Sequence, residues 1–130
     1  KRAAFIFDGI GNDEIVGNFG LAMGGATGDE LDRADESLGT PPHTLVVASS
    51  QRHSDHYQQV IEDIFQLKSG FVYGGSGNTD VRSDMVYFET GDHGEVFSVG
   101  SISWSGSLSH NHYDNNVSKI TENVMRHFLR

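Results

Sequence analysis

The sequence predicts an α/β domain with a mixed sheet and flanking helices. Three observations predict it. Residues 44–48 (T-L-V-V-A) form a short, continuously apolar, β-branched run, the pattern of a buried strand. After a polar loop, Tyr57, Val60, Ile61, Ile64 and Phe65 recur at the spacing of one helical face. Residues 85–89 (M-V-Y-F-E) and 95–99 (E-V-F-S-V) flank the tight connection T-G-D-H-G, which reads as a hairpin.

The elements follow in order. Residues 3–7 (A-A-F-I-F) are apolar throughout and end at Asp8-Gly9, so a buried strand is expected. Residues 9–29 are rich in glycine and weakly periodic, so they read as loop. Residues 28–33 (G-D-E-L-D-R) suit a brief helix, because acids favour a first turn. Pro41 and Pro42 stop any regular element. Ser54 is placed to cap the helix that follows the 44–48 strand, with Asp55 in its first turn. Residues 44–67 thus read as strand, loop and helix, half of a parallel βαβ unit. Residues 74–79 are a loop, and residues 102–104 (I-S-W) continue as a further short strand or as the end of the preceding one. Val117, Ile120, Val124 and Phe128 line one face of a C-terminal helix, capped by Asp114, Asn115 or Asn116.

At 130 residues, the chain is a single α/β domain over residues 1–130 or a fragment of a larger one. It opens on Lys-Arg without a starting Met, which favours the fragment. Eighteen acids against nine bases give a formal charge of −9. That balance argues against nucleic acid and against anionic membranes, which both want a basic face. There is no cysteine, so a thiol nucleophile, a disulfide framework and a zinc–thiolate site are all excluded. A cytoplasmic location is compatible with this. No apolar run approaches the roughly 18 residues of a membrane span.

Two clusters carry candidate chemistry. Ser50, His53 and Asp55 lie between the end of a strand and a helix, the edge where open α/β sheets bind ligands. They are the catalytic candidates, although A-S-S-Q-R lacks the glycines of a nucleophile elbow. The bland alternative is a helix cap beside a surface histidine. His110, His112 and Asp114 would share one face of an extended backbone and are the metal candidates. Against them stands a helix cap among solvated histidines, since seven histidines make chance pairs common. The glycine stretches 24–30 and 74–79 lack the lysine of a phosphate loop and read as turns. The acids of residues 29–33 read as a solvated face with an internal Asp–Arg pair.

Four stretches together carry a resemblance: G-G-A-T-G-D-E-L-D-R (24–33), L-G-T-P-P-H (38–43), A-S-S-Q-R-H-S-D-H-Y (48–57) and the run from Val96 to Phe128 that contains S-I-S-W-S-G-S-L-S-H-N-H-Y-D-N-N-V. The chain resembles the C-terminal part of the N,N-dimethylformamidase large subunit. The resemblance implies an amidohydrolase that cleaves N-substituted formamides into formate and an amine. It implies a glutamine amidotransferase-like, flavodoxin-like sandwich, of which this chain would be the C-terminal portion. It implies one iron in the intact enzyme, held by tyrosines and a carboxylate with a histidine close by. It also implies a small helical partner subunit and a homo-oligomer. The matched part lies downstream of the expected iron ligands. None of Tyr57, Tyr73, Tyr87 or Tyr113 maps to a ligand, and no metal is expected in this chain alone. The alternatives are a self-contained metal or small-ligand module and a structural assembly domain.

Overall fold

The computed structural model describes residues 2–59 and 74–130. Three strands, β1 (Leu45–Ser50), β2 (Ser83–Glu89) and β3 (Glu95–Ser98), form one sheet in that order. The α-helix among the described residues, α1 (Asn116–Phe128), packs with short 3₁₀ segments over the sheet's inner face. The mixed α/β class therefore holds.

The direction of pairing differs from expectation. β1 pairs antiparallel with β2, and β2 with β3, so no parallel βαβ half is present among the described residues. Periodicity inside one segment carries no information on the direction of the next strand. The hairpin is as read, with Tyr87 opposite Phe97 and Glu89 opposite Glu95. The register slips once between Val46 and Ala48, as at a β-bulge. Leu45, Ala48, Met85, Tyr87 and Phe97 then face the core, while Val46 remains 51% exposed.

Residues 3–7 form a 3₁₀ turn (Ala4–Phe7) rather than a strand. No described strand lies beside them. Instead the Asn123 side chain of α1 donates to the carbonyls of Ile6 (3.1 Å) and Asp8 (2.8 Å). Ile6 alone is driven fully into the core. Residues 102–104 also leave the strand pattern and open the 3₁₀ segment Ile102–Ser107. The cause lies just upstream. Gly100 takes a left-handed φ of 70°, and a Cβ there would meet the Asp84 carbonyl at 2.6 Å. Ser101 then caps the turn through Ser103 N–H.

Residues 28–33 are not a helix. Leu31 bridges to Ser101, and Asp32 N–H donates to Gly100 O at 2.8 Å. The helix expected to start at Ser54 is replaced, as far as Gln59, by a turn and a bridge from Gln58 to Gly74. The remainder of that stripe (Val60, Ile61, Ile64, Phe65) lies outside the described residues. No described helix is long and apolar enough to cross a membrane.

α1 forms as the spacing predicts. Val117, Ile120 and Val124 are buried, while Phe128 at the frayed end is 42% exposed. Asn115 is the cap. Its Oδ1 accepts from Ser118 N–H at 2.9 Å, and its amide donates to the carbonyls of Leu108 and His110. Trp104 Nε1–H donates to Thr121 Oγ1 (3.0 Å), tying the 3₁₀ segment to the helix. At the far end of α1, His127 stacks on Phe5 at 3.7 Å, and its Nε2 lies 2.8 Å from Glu95 Oε2. Beside it, burial and a hydrogen bond with Glu95 push the Tyr87 hydroxyl up to about 12.

Two outcomes follow. Asn115→Ala removes a cap and two further bonds at once, so urea unfolding should show a loss of about 2 kcal/mol, the upper end for a cap. Tyr87 ionises near 10 when unfolded and only near 12 when folded. The stability it contributes is complete below pH 10 and is lost as pH rises toward 12. Tyr87→Phe should flatten that alkaline limb in a stability-against-pH series.

Candidate functional site

A cleft of about 540 Å³ opens between the glycine-rich segment 14–27 and the sheet. Its floor is apolar, made by Ala48, Met85, Val99 and Trp104, and Ile15 and Met23 stand at its rim. Ser49, Ser50 and Ser83 also line it. The glycines of this wall serve packing. Gly17 takes φ 65°, and a Cβ there would collide with Ala26 and touch Val117.

The β1 end presents the catalytic candidates. Ser50 Oγ lies 3.2 Å from His53 Nε2, and the same nitrogen lies 3.1 Å from the Ser50 carbonyl oxygen. Asp55 does not join them. It accepts from the hydroxyl and the backbone N–H of Ser76, and these bonds hold its carboxyl below the usual range. Asp55 is therefore neither a first-turn residue of a helix nor the orienting partner of His53. Tyr57, whose ring lies 4.9 Å from His53, donates to Gly28 O at 2.9 Å and ties this loop to the cleft wall.

The metal candidates sit elsewhere. His110, His112 and Asp114 are exposed, and the extended backbone assumed for them is absent. Residues 110–113 form a kinked 3₁₀ segment in which Asn111, His112 and Tyr113 all have positive φ. His110 stacks on Phe19 at 4.1 Å. Asp114 N–H closes back on Asn111 O. Among the described residues no three His, Asp or Glu side chains stand together as a metal-binding group.

One polar centre escaped the sequence reading. Asp84, only 3% exposed in β2, accepts from Ser49 Oγ (2.7 Å), Ala34 N–H (2.9 Å) and Arg82 Nε (2.9 Å). Arg82 also donates to Ala34 O and stands 3.7 Å from Asp80. Arg33, expected to pair within its own acidic run, pairs with Asp35 instead. The signal for this centre was R-S-D at the mouth of an apolar strand, a carboxylate where a core residue would be expected.

The cleft and its serines thus belong to a small polar-edged sheet whose likeness can be asked of known proteins. The family described as "N,N-dimethylformamidase beta subunit-like, C-terminal" matches residues 1–115. The chain belongs to this family. It is 52% identical over all 130 residues to the N,N-dimethylformamidase beta subunit of Paracoccus aminophilus, and 48% identical to that of an Alcaligenes species. It spans only 17% of the length of each of these curated relatives. The expected assignment to the large subunit is therefore corrected: the family and both relatives carry the name beta subunit.

Asp84→Ala strands Arg82, Ser49 and the Ala34 N–H together. The expected loss is roughly 3 kcal/mol, as for one partner of a buried pair. Denaturant unfolding measures it, with Glu122→Ala, which removes exposed pairs with Lys119 and Arg126, as a control that should cost well under half as much.

Proposed function

We propose that this chain is the C-terminal segment of the beta subunit of an N,N-dimethylformamidase-like amidohydrolase. The reaction is hydrolysis of an N-substituted formamide to formate and an amine. The observation that carries this is identity of 52% to one such beta subunit, with no part of the 130 residues left unaligned. On this reading the chain is inactive alone. Its described strands would add an antiparallel edge to a larger glutamine amidotransferase-like, flavodoxin-like sheet. It works in the cytoplasm, in an assembly with a second, helical subunit and further copies.

The iron that the family resemblance implies is held, on this reading, by residues outside this segment. When bound, iron would polarise the formyl oxygen or activate water. What this chain itself supplies is position: a docked helix, a fixed sheet edge and a cleft wall held by Asp84.

The test is an exchange. The matching segment of the Paracoccus aminophilus beta subunit is replaced by this chain, and formate release from N,N-dimethylformamide is measured. Activity within about tenfold of the parent, about 1.4 kcal/mol in barrier, is expected. An assembled, iron-loaded hybrid with no formate release would overturn the reading. Metal analysis of the chain alone should find no stoichiometric iron. Iron that disappears in His112→Ala would instead move the ligands into residues 110–114.

A further inference from the structure

The three cleft hydroxyls are not equivalent. Ser49 commits its proton to the Asp84 carboxylate at 2.7 Å, and Ser83 commits its own to Gly100 O at 2.7 Å. Ser50 alone of the three faces a nitrogen base, His53 Nε2 at 3.2 Å, while lining the same cleft. That separation is within reach of hydroxyl-to-imidazole proton transfer. The ring is held from two sides. Its Nε2 lies near two oxygens of Ser50, Oγ and the carbonyl, and the Tyr57 ring lies tilted beside it at 4.9 Å.

We propose that Ser50 is an acyl-accepting hydroxyl, with His53 as its base, and that it takes small activated acyl donors from the cleft. This does not rest on the formamidase reading and uses no metal. In the step, Ser50 Oγ bonds to the electrophilic carbon and its proton passes to His53 Nε2. The leaving group departs with the bond pair and receives that proton. The apolar floor at Met85 and Trp104 suits the carbon side of such a donor.

The tautomer gates the step. With its proton on Nδ1, His53 accepts from the Ser50 hydroxyl. With the proton on Nε2, it donates to the Ser50 carbonyl instead. Among the described residues no carboxylate enforces the first state, because Asp55 is engaged by Ser76. In a serine protease, loss of that enforcement costs about 10⁴ in kcat. The pair should therefore give slow, single acylation rather than efficient turnover.

The probe is a fluorophosphonate applied to the full chain, where Ser50 Oγ attacks phosphorus and fluoride leaves. Peptide mapping should place the adduct on Ser50 and not on Ser49. Ser50→Ala should abolish it. His53→Ala should slow labelling by about a hundredfold, the lower range for a general base. Added imidazole should restore part of that rate, which a purely structural role for His53 would not allow. Emission from buried Trp104 confirms that each variant is folded. A folded chain with no adduct on Ser50 would overturn the proposal. So would equal labelling rates with and without His53.

Discussion

A carboxylate hidden at the start of a strand holds this structure in register. Asp84 joins the end of β1 through Ser49, the segment around Ala34 through its backbone N–H, and its own neighbour Arg82. A buried anion is costly unless its lone pairs are met, and here three donors meet them. The same residue accepts no slack in its main chain. Asp84 N–H donates to Asp32 O, and Asp32 N–H donates to Gly100 O, so two distant loops close over one strand. The position of Ser50, two residues from the β1 bulge pair at Ala48, depends on this closure.

The other half of the molecule is ordered from α1. Its buried stripe packs on Ile6, Trp104 and the sheet, and its polar residues satisfy backbone that has no ladder of its own. Asn123 serves the N-terminal turn, Asn116 serves Gly17 N–H and Ile15 O, and Asn115 serves the kinked segment before the helix. Three asparagines thus replace the strand neighbours that these segments lack. The carboxylate centre and the helix meet at the cleft, one through the serine side and the other through Trp104 and the glycine wall.

What was legible in the sequence was local. The β1 run, the β2–β3 hairpin and the α1 stripe each declare themselves within one short stretch of chain, and Asn115 stands where a cap belongs. Contacts decided elsewhere were not legible. Residues 3–7 look like a strand until Asn123, more than a hundred residues away, takes their carbonyls. Residues 102–104 follow Gly100, which turns left-handed where the Asp84 carbonyl and the Ser83 hydroxyl leave no room for a side chain. In the candidate site, Ser50 and His53 meet because they are three apart on one loop. Asp55 is drawn off by Ser76, twenty-one residues later, which no spacing rule reports. The beta-subunit assignment came from likeness to known chains, since no motif distinguishes one subunit name from another.

The glycine-rich wall carries a last consequence. By composition, residues 9–29 look pliant. Yet Gly17 donates to Asn116 Oδ1, accepts from Ala26 N–H, and leaves no room for a side chain between Ala26 and Val117. These glycines buy closeness, not freedom. Solvent deuterium should therefore reach the Gly17 and Ala26 amides only when α1 itself lifts away, so a loop by shape exchanges with the rhythm of a helix.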